Sequence, residues 1–411
     1  MRNDIVLTGL DVGTAWTTVV ISEISDAGLP EILGVGRQPS EGLRKGVVVN
    51  IEATVRAIQA AVEQAEQMAG QEVASVHAGI SGGQIEGTNS KGVVKVTGKS
   101  REITDEDVER VLETARSVAI PLDREMLHVI PQDFIVDNHA GIKDPRDMIG
   151  VRLEALVHII TASATAAQNL VRSINRAGFR VESIILDTIA AGMTVLSQDE
   201  QELGVLLLDL GEGTTDISVH RDSSPVFTSS LPVGGAQVTS DLSIMLKTPL
   251  QAAREIKHSA GCAWLPLVAG NEPVIIPGVG RRPPIALDRR KIAGIIQPRV
   301  AEIFGLARDR LEQQDILRGI GGGVVLTGGG AALPGVVDLA QEVFGLPARV
   351  GTPLPEAGLV AEVSGPEFAT AVGLIEYARQ HLSIEEPDRR RHGETPGVLR
   401  GLRGWLRRFF E

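Results

Sequence analysis

Apolar and polar positions along the chain alternate between two periods, and the changes of period mark its elements. Leu206-Leu207-Leu208 is a short continuous apolar run, as for a buried strand, and it delivers a carboxylate, Asp209. The chain then turns through Gly211, Glu212, Gly213, Thr214 and Thr215, and Asp216-Ile217-Ser218 continues as a returning strand. The plan repeats near the N-terminus, where an apolar strand leads to Asp11, Gly13, Thr14, Ala15 and Trp16, and Val19-Val20 returns. After this first hairpin, Ile51, Val55, Ile58, Val62, Ala65 and Ala69 recur at helical steps, and Gly70 stops the helix. An apolar stretch at 73–80 completes a hairpin followed by a βαβ unit. Further on, the pattern predicts a helix from Ala164 to Ala177 ended by Gly178, a strand 180–186 reaching Asp187, and a helix from near Thr188. The second copy starts at Gly204. Its hairpin is followed by helices from Gly234-Gly235 to about Ala260, broken near Thr248-Pro249, and by another helix over 290–315. Strand 324–327 runs into Gly328-Gly329-Gly330, and residues 368–379 form a helix returning to the first half.

Three stretches fall outside this duplicated plan. Residues 82–160 open with Gly82-Gly83 and alternate as a strand at 92–97. Thr104 then caps a helix whose first turn is acidic and whose buried stripe is Val108, Val111, Leu112, Ala115 and Val118. Residues 126–136 and 153–161 are extended, so the stretch reads as a small inserted α/β subdomain, either structural or a protein-contact module. Residues 383–396 are charged, contain proline and lack periodicity, which predicts a disordered linker. In residues 397–411, Val398, Leu399, Leu402, Trp405, Leu406, Phe409 and Phe410 fill one arc of a helical wheel, with Arg400, Arg403, Arg407 and Arg408 largely opposite. Such a helix of about 14 residues is about 21 Å long, too short to cross a bilayer but suited to lie in its interface with arginines at anionic headgroups. The alternative is docking on the protein's own surface or on a partner. Gly401 and Gly404 weaken the helix in water, so it folds on binding, and an array of molecules holds a membrane more firmly than one. The expected organisation is a first lobe of 1–81 completed by 161–203 and 365–382, the insertion 82–160, and a second lobe 204–364 with 235–300 as its outer subdomain. The linker and the amphipathic tail follow.

Composition narrows the function. A hydrophobic share of 43% is ample for buried sheets, whereas 3% aromatic residues and a net charge of −12 argue against an extended nucleic-acid surface. The lone Cys262 cannot form an internal disulfide, consistent with a reducing compartment. Residues 1–20 lack a secretory signal, and no stretch approaches the ~20 apolar residues of a membrane span. The eight histidines stand singly, without metal-ligand spacing, and read as structural.

The chemistry sits in the two hairpins. Glycines let the backbone approach a ligand, amides in a tight turn point at an anion, and threonine hydroxyls add donors. Asp11 and Asp209, at strand ends, can hold a hydrated divalent cation. The triplet 328–330 suits a flat base or ribose, and Gly234-Gly235 suits another close approach. Asp187 is placed either to orient or deprotonate a water near a terminal phosphate or merely to cap the next helix. Two hairpins, a glycine triplet and their order resemble the actin, sugar-kinase and heat-shock-chaperone ATPase fold, an α/β architecture of two lobes across a cleft.

Longer motifs sharpen the resemblance. They are Gly46-Val47-Val48-Val49-Asn50-Ile51-Glu52, Gly79-Ile80-Ser81-Gly82, Leu208 to Ile217, Leu231-Pro232-Val233-Gly234-Gly235, Ile256-Lys257 with Gly261-Cys262-Ala263, Gln297-Pro298-Arg299-Val300 and Leu326-Thr327-Gly328-Gly329-Gly330. With the insertion and the tethered tail, the chain resembles the FtsA family, bacterial actin homologues that tether the division ring to the membrane. The resemblance implies ATP in the cleft, with magnesium near Asp11, Asp187 and Asp209 through water. It implies phosphate contacts along Gly13, Thr14, Ala15, Trp16, Gly211, Gly213, Thr214 and Thr215, and adenosine near Gly234, Gly235, Lys257, Gly328, Gly329 and Gly330. Implied partners are further copies in a filament, anionic membrane lipid, later division proteins at the insertion, and the acidic C-terminal peptide of FtsZ at Arg281, Arg282, Arg289 and Arg290. The implied location is the cytoplasmic face of the inner membrane at the division site. Three positions depart from the family pattern: Trp16 where a lysine is frequent, Arg254 where a glutamate is usual, and Glu212 in place of a glycine. ATP is therefore expected to shape a polymerising conformation, with slow turnover at best. The competing readings are a small-metabolite kinase, which needs an acceptor pocket and a base and has no use for the tail, and a pilus-assembly actin homologue, a binding module without a membrane helix of its own.

Overall fold

The computed structural model describes residues 5–389 apart from 26–27, 99, 271, 281 and 354–360, with side chains described through residue 381. Arg281 and the tail at 397–411 lie outside the described residues.

The first lobe begins with a meander of β1 (Ile5–Val12), β2 (Trp16–Ile24) and β3 (Pro30–Pro39). A two-residue ladder of β4 (Leu43–Arg44) and β5 (Val47–Val48) leads to helix α1 (Ile51–Ala69) and then β6 (Ser75–Ile80), parallel to β1. The boundaries of α1 are chemical. The Asn50 side chain accepts from the Ala53 amide, and Gly70 closes the helix at φ 66°.

The insertion follows as β7 (Glu86–Lys95), α2 (Asp105–Arg116), β8 (Arg124–Val136), β9 (His139–Ile142) and β10 (Arg152–Ser163). Thr104 and Asp107 cap α2 reciprocally, and Val111 and Ala115 bury its inner stripe, with Val108, Leu112 and Val118 packed partly buried beside them. The chain returns to the first lobe through α3 (Ala164–Ala177), β11 (Arg180–Leu186) parallel to β6, α4 (Asp187–Val195) and α5 (Gln198–Leu203).

The second lobe repeats the scheme. Its meander is β12 (Val205–Leu210), β13 (Thr215–Arg221) and β14 (Ser224–Leu231). Next come α6 (Gly235–Leu246), α7 (Leu250–Ala260), the hairpin β15 (Pro273–Ile276) and β16 (Ile285–Asp288), and α8 (Arg289–Glu312). Strand β17 (Val324–Thr327) lies parallel to β12, and α9 (Val336–Phe344) leads to β18 (Ala348–Val350), parallel to β17. Helix α10 (Ala369–Arg389) is the last element among the described residues. It runs on into the stretch expected to be linker, where Glu385 and Glu386 are good helix formers.

The duplication appears in the strand orders. The first sheet runs β11-β6-β1-β2-β3 and the second contains β18-β17-β12-β13-β14, the same order with the same directions. Between the two sheets lie α4 and α10. Ala191, Val195 and Leu196 pack on Leu207 and Val325, while Val372 and Ile375 pack on Leu7 and Val20. Outer faces are covered by α1 and α3 on one lobe and by α6 to α9 on the other.

Two further arrangements differ from the sequence reading. The Pro- and Gly-rich stretch after Cys262 contains the β15–β16 hairpin, whose strands are too short to show a period. The sheet of the insertion also joins the second lobe, because β7 pairs with the edge of β14 at Glu86 and Ser229 and makes one sheet of nine strands. Buried His158 strengthens that seam through Asn89 Oδ1 at 2.7 Å and Thr228 Oγ1 at 3.0 Å, and the Gln132 amide donates to Pro225 O at 2.9 Å. Edge pairing between strands so distant in sequence leaves no local signature.

Candidate functional site

Both meanders turn at the cleft with the same geometry. The Gly13 amide donates to Trp16 O at 3.0 Å, and the Gly211 amide to Thr214 O at 3.0 Å. The second turn is braced from behind. Thr215 Oγ1 donates to Val233 O at 3.0 Å, and the amides of Gly235 and Ala236 donate to the carbonyls of Gly211 and Glu212 at 2.9 and 2.8 Å. The two turns meet each other, since a Cβ added at Gly213 would stand 2.5 Å from Thr14 Oγ1 and 2.9 Å from Lys45 Cα. Thr14 Oγ1 in turn accepts from the Gly46 amide at 3.0 Å.

Beneath the turns the fold gathers four carboxylates, although like charges repel. Asp11 and Asp209 are partly exposed, while Asp187 and Asp216 are buried. Burial pushes Asp11 up to about 7, with Arg37 opposing the rise and Asp216 adding to it. Asp209 is pushed up to about 7 by burial and then by Asp216 and Asp11. Asp216 is pushed up to about 6 by burial, against hydrogen bonds that hold its charged form. Asp187 is raised well above the carboxylate range by burial, then by Asp11, Asp216 and Asp209. One buried oxygen of Asp187 and one of Asp216 have no hydrogen-bond partner. Such unpaired, mutually repelling acids fit a hydrated divalent cation, which would relieve both the repulsion and the missing donors. Among the described residues no three acidic, histidine or cysteine side chains close on one point to ligate a metal directly.

Asp187 is the acidic residue in the first turn of α4, whose N-cap is Leu186, with no side-chain cap bond. Asp216 escaped the sequence reading as a site residue. The signal for it was register: Asp216 lies directly across the ladder from Asp209, two acids on one face, whereas Thr18 faces Asp11 in the first hairpin.

The glycines divide by role. Gly234 is required by the protein's own packing, since a Cβ there would meet Gly211 O at 2.5 Å. Gly328, at φ 76°, passes over Asp209, whose Oδ1 would stand 2.1 Å from a Cβ. Gly329 faces open space.

The three departures from the family pattern are also arranged in space. Trp16 carries no charge, but the Arg37 guanidinium stacks over its ring at 4.6 Å and over Phe368 at 5.3 Å. Glu212 and Arg254 belong together: Glu212 Oε2 accepts from Lys257 Nζ at 3.0 Å, and Arg254 Nη2 stands 3.6 Å from Oε1. The negative charge in the second turn is thus neutralised within the protein. The arginine cluster separates. Arg289 bonds Ala260 O and Glu272 and Arg290 bonds Val268 O, whereas Arg282 lines a groove of about 290 Å³ with Leu246, Lys247, Ile276, Pro277 and Ile285.

Comparison with known proteins agrees with this architecture. A family model described as "Cell division protein FtsA" matches residues 206–373, and one described as "SHS2 domain inserted in FTSA" matches residues 82–161. The cell division protein FtsA of Borreliella burgdorferi is 45% identical over 94% of this chain and 93% of its own length. That of Pseudomonas aeruginosa is 42% identical over 92% and 90%. Among solved structures, a PilM–PilN type IV pilus biogenesis complex matches with TM-score 0.66 at 18% identity, over 91% of this chain and 98% of that one. MreB5 of Spiroplasma citri bound to AMPPNP matches with TM-score 0.56 at 13% identity, over 93% and 99%. The structural likenesses establish an actin-like two-lobed fold, and the sequence relatives decide within it: the chain belongs to the FtsA family of cell division proteins.

Proposed function

We propose that this chain binds ATP with magnesium between its lobes, polymerises on the cytoplasmic membrane face at the division site, tethers the FtsZ ring there and recruits later division proteins. The observation that carries the nucleotide part is the meeting of two glycine–threonine turns, each closed by the same backbone hydrogen bond, above four buried or half-buried acids. The MreB5 structure of the same fold is described as bound to AMPPNP, which supports a nucleotide in the corresponding cleft. Amides and hydroxyls of Gly13, Thr14, Gly213, Thr214 and Thr215 would hold the phosphates. Asp11, Asp187 and Asp209 would hold the water shell of magnesium, which supplies charge neutralisation between phosphates and carboxylates. Burial and then the neighbouring Asp11, Asp216 and Asp209 raise the pKa of Asp187, and a bound cation would oppose that rise, so its service as a base would be coupled to cation binding, which suits slow turnover.

The remaining parts rest on other surfaces. The groove is lined by apolar Leu246, Ile276, Pro277 and Ile285 and by two cations, Arg282 and Lys247, the complement of an acidic peptide with apolar residues such as the FtsZ C-terminus. Among the described residues no helix is long and apolar enough to cross a membrane, so attachment falls to the arginine-rich amphipathic sequence 397–411. Liposome flotation with anionic vesicles tests the attachment. The full chain floats and a chain ending at Pro387 stays at the bottom; equal flotation removes the tether. Co-sedimentation of FtsZ with the vesicle-bound chain, lost when the last residues of FtsZ are removed, tests the docking.

A further inference from the structure

We infer that Glu212 recognises the ribose of the nucleotide, an assignment that rests on the nucleotide reading above. Glu212 stands at the tip of the second turn with only 14% of its side chain exposed. Its carboxylate is fixed from one side. Oε2 accepts from Lys257 Nζ, which also donates to Gly235 O at 3.1 Å, and the Glu212 carbonyl accepts from the Ala236 amide. Oε1 is different: it is buried and makes no hydrogen bond, with only the half-exposed Arg254 guanidinium 3.6 Å away. Two cations flank the group, and one oxygen remains available. An ionised phosphate oxygen brings no proton to Oε1, which can only accept, whereas a neutral hydroxyl donor would satisfy it. Position points to the same chemistry. The carboxylate lies between the turn that faces the phosphates and the Gly235–Lys257 surface proposed for adenosine, and the sugar must span that interval. The sugar's vicinal diol is the donor that fits.

Titration calorimetry on the full chain with magnesium and ATP, 2′-deoxy-ATP or 3′-deoxy-ATP tests the assignment without any variant. One deoxy analogue binds roughly tenfold or more weakly than ATP, the loss of one hydrogen bond to a charged acceptor. In Glu212→Gly, ATP weakens to the level of that analogue and the discrimination disappears. Equal affinity of the wild-type chain for all three nucleotides, or discrimination that survives in E212G, overturns the role of Glu212. Absence of ATP binding by the wild-type chain overturns the nucleotide reading itself.

Discussion

Replacing Asp216 with asparagine should stabilise the nucleotide-free protein at neutral pH and leave it unchanged in acid. Asp216 is 4% exposed, and its pKa is raised from 3.8 to about 6. A carboxyl that binds its proton more tightly in the folded chain than in the unfolded one gives stability below the unfolded pKa and loses it as pH rises through the folded one. The penalty is therefore absent below pH 3.8, grows between there and about 6, and is complete above. A rise of roughly two pH units at about 1.36 kcal/mol each makes it about 3 kcal/mol. For a chain of 411 residues, with an unfolding entropy of about 2.1 cal/mol/K per residue, that is a gain of about 3 °C in Tm. Asparagine keeps an oxygen for the Thr214 hydroxyl, now 2.9 Å from Oδ2, and sets a donor in place of a charge opposite Asp209. The assay is a thermal melt of both proteins from pH 4 to 8 without nucleotide or magnesium. The gap should open across pH 4–6 and then hold level. A variant that is less stable by the same amount at every pH would show that Asp216 is a structural hydrogen-bonding group, and the account of crowded, unrelieved carboxylates would be wrong.

Three further outcomes follow from the packing of the cleft. Gly213→Ala forces its Cβ against Thr14 Oγ1 at 2.5 Å, so the turns must separate at a cost of about 1–3 kcal/mol; an unchanged melting temperature would show that the turns do not touch in solution. At Gly373, where α10 crosses α4, a Cβ would stand 2.0 Å from Ala190 O, so Gly373→Ala should lower the urea midpoint through about 1–3 kcal/mol of overpacking, and an unshifted midpoint contradicts the crossing. Arg37→Ala removes the cation that holds Asp11 down, so the Asp11 titration followed by carbon-13 NMR should move above about 7, and an unmoved curve rules out Arg37 as its neighbour.

Much of the site was legible because its chemistry is written in short, contiguous stretches. Turns need glycine, strand ends need a carboxylate, and helices need caps such as Asn50 and Gly70, all of which act over a few residues. The sequence could not show which residues approach from far along the chain. Trp16 and Glu212 looked like lost or misplaced charges until Arg37, from β3, stacked on one, and Lys257 and Arg254, from α7, closed on the other. The role of Asp216 likewise depended on strand register, and the docking of the insertion on a sheet edge more than a hundred residues away.

The sequence by itself determined the duplicated hairpins, most of the helices and the family, because each follows from local periodicity or from a motif read in order. Tertiary structure alone decided which charges meet, which carboxylates are stripped of water and which glycines serve packing rather than a ligand. The physical reason is that desolvation and Coulomb forces depend on distance in space, and the fold sets those distances between segments that the sequence keeps far apart.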